Sequence, residues 1–159
     1  MKPVEITAAM ARQIVGYNPH TGKFVKWATG ETVGRVNAQG YVNLSIHGRC
    51  LKAHRVAFLI MTGSWPSGDV DHINGIRDDN RWSNLRQATR AQNMFNSPKR
   101  PDNISGYKGV SKHKNHWQAR MTVEGKRIYL GNFSTPEAAH EAYRCASREY
   151  HGEFFYEGE

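Results

Sequence analysis

A chain of 159 residues and 18.1 kDa has room for one compact domain or for two small ones with modest cores. Hydrophobic residues at 38% and charged residues at 23% give a foldable balance, so a disordered chain is excluded. A formal net charge of +8 and a pI of about 9.7 favour a polyanionic partner such as nucleic acid over an acidic small molecule, a signature shared with ribosomal and membrane-surface proteins.

The first eleven residues lack the apolar centre of a secretory signal. From residue 17 to residue 52 short alternating runs, 23–27 and 41–46, are separated by Thr21-Gly22, Gln39-Gly40 and His47-Gly48, which predicts hairpin strands joined at glycine turns. Residues 53–62 then carry Val56, Ala57, Phe58, Leu59, Ile60 and Met61 with Gly63 beyond, which predicts a short buried helix stopped by glycine. The run 56–61 is the longest apolar stretch and is far too short to span a bilayer, so a cytoplasmic location is expected. Thr89 and Gln92 form a T-x-x-Q capping box that starts a further helix.

Residues 96–103 carry two prolines and few apolar side chains, as a linker does. Beyond it, 107–111, 117–123 and 127–133 read as three strands, the last two joined at Glu124-Gly125. Thr135-Pro136-Glu137 opens a helix, Ala138, Ala139, Ala142, Tyr143, Ala146 and Tyr150 recur at helical spacing, and Gly152 ends it. Cys50 and Cys145 stand far apart in no C-x-x-C pair, so neither a disulfide framework nor a structural zinc site is expected. The fold class is therefore α+β, with a strand-rich region over 1–52, a core over 53–97, a linker over 98–104 and a sheet-and-helix domain over 105–159.

Charge is polarised along the chain. Residues 101–133 hold six Lys/Arg against two acids, whereas residues 134–159 hold two Arg against six Glu. The three predicted strands are thus basic and the last helix acidic.

Chemistry concentrates at Asp71-His72. Phosphodiester hydrolysis needs an activated water and a cation near the leaving oxygen. His72 titrates near neutrality and suits the general base, while the carboxylate of Asp71 and the amide of Asn93 are hard oxygen donors suited to one Mg²⁺ or Mn²⁺. His54 either approaches the phosphate or packs and caps. Arg77, Arg81, Arg86 and Arg90 contact a DNA backbone or form a solvated basic face.

Asp71-His72-Ile73-Asn74-Gly75, the run Asp79-Asn80-Arg81-Trp82-Ser83-Asn84-Leu85-Arg86 and Ala91-Gln92-Asn93 together resemble the HNH motif of phage and intron homing endonucleases. The resemblance implies a ββα-metal (His-Me finger) site with His72 as general base and Asn84 steadying the hairpin and orienting the histidine. Asp71 and Asn93 would hold one divalent ion. The third motif position is asparagine where the family's name has histidine, as in homing members that nick one strand, so the expected activity is metal-dependent cleavage of duplex DNA, by nicking. The alternative is a DNA-binding regulator whose nuclease site has decayed.

Residues 104–154, through Tyr107-Lys108-Gly109-Val110, Trp117-Gln118-Ala119-Arg120-Met121, Lys126-Arg127-Ile128-Tyr129-Leu130-Gly131-Asn132-Phe133 and Ala138-Ala139 with Ala142-Tyr143, resemble the APETALA/ethylene-response-factor DNA-binding domain. That resemblance implies a three-stranded antiparallel sheet facing the major groove with one helix behind it. Lys108, Arg120, Thr122, Arg127 and Tyr129 fall at its DNA-contacting positions, with Arg120 and Arg127 as base readers. Ser111 stands where plant members have arginine, so their sequence preference does not transfer. Trp117, Phe133 and Tyr143 are expected in the core. Double-stranded DNA is the expected partner, no obligate protein partner is evident, and a monomer is the default.

Overall fold

The computed structural model describes residues 5–96, 99, 102–123 and 125–154. The chain divides into two compact units, Met1–Arg90 and Ala91–Glu159.

Unit 1 opens with a helix that the sequence reading did not assign, α1 (Ala8–Ile14), capped by Thr7, whose side chain accepts from the Met10 N–H. Two meanders follow. The first is β1 (Val15–Tyr17), β2 (Phe24–Lys26) and β3 (Thr32–Val33), and the second is β4 (Arg35–Val36), β5 (Val42–Ile46) and β6 (Arg49–Lys52). The expected glycine turns are present: Gly22, Gly40 and Gly48 all have positive φ, and His47 joins Gly48 in the left-handed region, as a two-residue hairpin requires.

Helix α2 (Ala53–Thr62) buries Ala53, His54, Val56, Ala57 and Leu59, and Gly63 closes it in the left-handed conformation, donating its N–H to the Leu59 carbonyl. Its apolar face joins Ile6, Ala11, Val15, Phe24, Leu44, Ile46, Val70 and Leu85 in one core. Burying a side chain as completely as Phe24 contributes about 1.5–3 kcal/mol. The strand-rich region over 1–52 and the segment after it share this core. Strands β7 (Asp69–His72) and β8 (Leu85–Ala88) pair antiparallel, with Asp71 opposite Arg86 and His72 opposite Leu85. In chain order, α3 (Arg90–Phe95) follows.

The units meet ahead of the linker expected over 98–104, and residues 98, 100 and 101 of that linker lie outside the described residues. Unit 2 is built on β9 (Val110–His113), β10 (His116–Val123) and β11 (Lys126–Phe133), antiparallel with β10 in the centre. The first strand starts later than expected because Gly106 and Gly109 adopt positive φ and bend residues 106–109 into turns. A Cβ on Gly109 would also meet the Tyr143 ring at 2.1 Å.

Helix α4 (Pro136–His151) is capped as expected, the Thr135 hydroxyl accepting from the Ala138 N–H with Pro136 in the first turn. Its buried line is Ala139, Tyr143 and Ser147, spaced four apart, whereas Ala138 and Tyr150 of the expected stripe are exposed. Ala139 packs with Val110 and Ala119, and Tyr107, Trp117, Leu130 and Phe133 border that cluster.

Candidate functional site

Asp71 and His72 close strand β7 and are each 4% exposed. The twelve residues between β7 and β8 are held by their own side chains. The Asn84 side chain accepts from the Asn74 N–H at 2.9 Å and donates to the Asp79 carbonyl at 2.8 Å, while the Asn84 carbonyl accepts from the Ile73 N–H. Asn74 donates to the Asp79 carboxylate at 2.8 Å, and Arg81 grips the same carboxylate at 2.6 Å, which holds Asp79 down at about 2.

His72 Nε2 lies 3.3 Å from Asn80 Oδ1. The Asn80 amide donates through Nδ2 to the Asp78 carbonyl, which fixes which of its atoms faces the ring. Nε2 therefore carries the proton and donates to Oδ1, and the basic lone pair of His72 lies on Nδ1. Asn84 thus braces the hairpin, and the ring contact belongs to Asn80, a residue that sequence reasoning passed over.

Asn80 is fixed from the far side of unit 1. The Tyr17 hydroxyl donates to its carbonyl at 2.6 Å, and the Trp82 N–H donates to the Pro19 carbonyl at 2.9 Å. A Cβ at Gly22 would meet the backbone of Asn80 and Arg81 at 2.5 Å, so the β1–β2 turn reaches this loop only with glycine there. Burial and the nearby Asp79 carboxylate push the Tyr17 phenol up to about 12, so it stays a donor.

Burial lowers the His72 pKa, against opposing pulls from the Asn80 hydrogen bond and from Asp71, Asp79 and Asp78. His72 is neutral at neutral pH, the form a general base requires. The His54 ring stands edge-on to it at 5.0 Å, and the Tyr41 ring is 6.0 Å away. Burial first, then His72, Lys52 and Arg55, depress His54 to about 3. His54 is buried, 4% exposed, and among the described residues its Nδ1 has no hydrogen-bond partner.

Asp71 Oδ2 accepts from Arg86 Nε at 3.0 Å and Nη2 at 2.9 Å. The Arg86 side chain is 12% exposed, so its expected contact with a DNA backbone is corrected to an internal ion pair across the β7–β8 register. Arg81 remains exposed. Asn93 is half-buried on α3 in unit 2. Among the described residues no cluster of three or more His, Cys, Asp and Glu could hold a metal, so any ion here would need amide, backbone or substrate oxygens beside Asp71. That donor chemistry is hard oxygen and fits Mg²⁺ or Mn²⁺.

In unit 2 the register pairs Arg120 with Tyr129 and Thr122 with Arg127, and all four side chains are exposed. Ala119 and Met121 alternate onto the buried face with Ala139. Lys108 departs from its expected place. Its ammonium donates to the Phe95 carbonyl at 2.7 Å at the end of α3, and burial lowers its pKa to about 8. It caps a helix terminus and does not face outward.

A family model described as HNH endonuclease matches residues 51–95. An uncharacterized HNH endonuclease of Acanthamoeba polyphaga mimivirus is 36% identical over 107 residues, covering 65% of this chain and 55% of that protein. The chain therefore spans about half the length of that relative. Protein 3.8 of Escherichia phage T7 is 34% identical over 87 residues, covering 54% of this chain and 71% of that protein. An AP2-like ethylene-responsive transcription factor of Arabidopsis thaliana is 46% identical over 52 residues, 30% of this chain and 9% of that protein. The solved structure of the HNH homing endonuclease I-HmuI has 21% identity and a TM-score of 0.40 over 86% of this chain and 80% of its own. The motif at Asp71-His72, the family match over 51–95 and the viral HNH relative lead to one conclusion: the chain carries an HNH endonuclease domain.

Proposed function

We propose that the protein hydrolyses phosphodiester bonds in duplex DNA, nicking one strand, as a homing-type endonuclease acting inside a bacterial host. The observation that carries this reading is the buried Asp71-His72 pair, whose histidine is neutral and directed by Asn80. In this mechanism His72 Nδ1 takes the proton of the attacking water, its Nε2–H stays on Asn80, and the P–O bond to the departing strand end breaks. Asn84 keeps the loop closed so that the ring does not turn. Asp71 and Asn93 would hold one divalent ion, Mg²⁺ or Mn²⁺, which when bound supplies charge neutralisation at the leaving oxygen. The exposed face of Arg120, Thr122, Arg127 and Tyr129 would hold the duplex, and tethering raises the effective concentration of the cutting unit on DNA.

A second reading has its own observation. Arg86 already neutralises Asp71, as it would in a DNA-binding regulator that had lost its metal. Supercoiled plasmid carrying the protein's own source locus, incubated with Mg²⁺, Mn²⁺ or EDTA, separates the two. Relaxed circles that need metal and vanish in His72→Ala, with DNA affinity kept within a few-fold, support the nuclease, since a base acts on the transition state. Binding without cleavage under any metal supports the regulator.

A further inference from the structure

The β4–β5 turn is unusually well determined. Asn37 Oδ1 accepts from the N–H groups of Gln39 and Tyr41, the Asn37 N–H donates to the Tyr41 carbonyl, and the Gly40 N–H donates to the Asn37 carbonyl. The turn delivers the half-buried Tyr41 ring to within 5.3 Å of His54 and 6.0 Å of His72. Two cations share that ring. Lys52, the last residue of β6, places its ammonium 4.3 Å from the ring centre, and Arg77, from the loop after β7, places its guanidinium carbon at 5.1 Å. Arg77 is steered there by its 2.8 Å hydrogen bond to the Gln39 carbonyl.

Both cations are exposed, and among the described residues neither takes part in an ion pair. Two positive charges held on one ring repel each other, and an anion between them relieves that repulsion. Three separate elements converge to place this arrangement at the edge of the histidine. We propose that Lys52, Arg77 and the Tyr41 ring form a seat for a backbone phosphate of the strand to be cut, next to His72. This rests on the nuclease reading above. Tyr41 sets the spacing of the cations, and Lys52 and Arg77 supply the charge, so the seat positions the strand without reading its sequence.

The full chain is titrated onto duplex DNA in EDTA across a salt series, as wild type, Lys52→Gln, Arg77→Gln and Lys52→Arg. Each cation lost lowers the slope of log affinity against log salt by about one, and Lys52→Arg keeps the wild-type slope. With Mg²⁺, the two Gln variants raise the DNA concentration at half-maximal cleavage while the saturated rate stays within a few-fold. An unchanged salt slope in either Gln variant overturns the seat. Wild-type protein that binds DNA but fails to cut it with either Mg²⁺ or Mn²⁺ overturns the nuclease reading alone, and the slopes then still decide whether these cations grip phosphate.

Discussion

Asn80 Oδ1 faces His72 Nε2 at 3.3 Å, with the two residues 2% and 4% exposed. A buried amide committed at both ends, to His72 and to the Asp78 carbonyl, holds the ring in one tautomer and one rotation. Asn80→Ala would leave a buried ring N–H without its acceptor. The expected loss of cleavage is about 10- to 100-fold in kcat, as for other groups that orient a reactive side chain, with stability reduced by about 1–3 kcal/mol. Single-turnover plasmid nicking and urea unfolding measure the two effects. Unchanged kcat with lowered stability would make Asn80 purely structural.

The Asp71–Arg86 pair gives a second expectation. Its side chains are 5% and 12% exposed, so Arg86→Ala leaves a buried carboxylate unpaired and costs about 3–5 kcal/mol in metal-free protein. A divalent ion bound at Asp71 would replace the missing charge. Mg²⁺ or Mn²⁺ should therefore stabilise the variant more than the wild type, by mass action on the folded state. Thermal melts with and without metal read this directly. Equal metal shifts in both proteins would remove Asp71 from the ligand set.

Much of this architecture is legible in the sequence where one residue type has one physical use. Gly63 ends α2 because only a left-handed residue fits there, and Thr135-Pro136 opens α4 because the first helical N–H needs no partner. Period-two alternation also puts Arg120, Thr122, Arg127 and Tyr129 on one face. Asn80 is different: it is one of several asparagines in a polar loop, and its role follows from a glycine turn almost sixty residues upstream that docks on its backbone. Arg86 and Lys108 read as outward cations because charge is usually solvated. A signal for Arg86 existed, since an antiparallel register across the 73–84 loop sets it opposite Asp71. Lys108 had none, because its acceptors are main-chain carbonyls at a helix end.

Acid should destabilise the protein through His54. Its folded pKa of about 3 lies below the ordinary value of 6.5, so the unfolded chain binds a proton that the folded chain refuses. The stabilisation is fully present above pH 6.5 and is lost as pH falls below it. One such histidine costs about 1.4 kcal/mol per pH unit in that window. His72, lowered in the same direction, adds to it. Asp79 acts only lower, below its ordinary 3.8. Urea titrations at several pH values between 5 and 7 should show stability falling with acid, and His54→Leu should remove close to one proton from the slope. An identical slope in the variant would refute the assignment.

Lys108 and Arg127 are both basic and both fall where the APETALA-like resemblance predicts DNA contact, yet their surroundings are opposite. Lys108 is half-buried and spends its ammonium on the Phe95 carbonyl, so Lys108→Met should leave duplex affinity unchanged while lowering the stability of unit 2 by about 1 kcal/mol for the lost cap. Arg127 stands exposed opposite Thr122, two register steps from the Arg120–Tyr129 pair. Arg127→Ala should leave stability within about 0.5 kcal/mol and weaken duplex binding by about 1–3 kcal/mol if it reads a base. Anisotropy titrations on a panel of duplexes distinguish its two modes of contact. A loss concentrated on some sequences marks base reading, and a uniform loss with a shallower salt slope marks phosphate contact. If Lys108→Met instead weakens binding as much as Arg127→Ala, the helix-capping geometry does not persist on DNA, and Lys108 returns to the binding face.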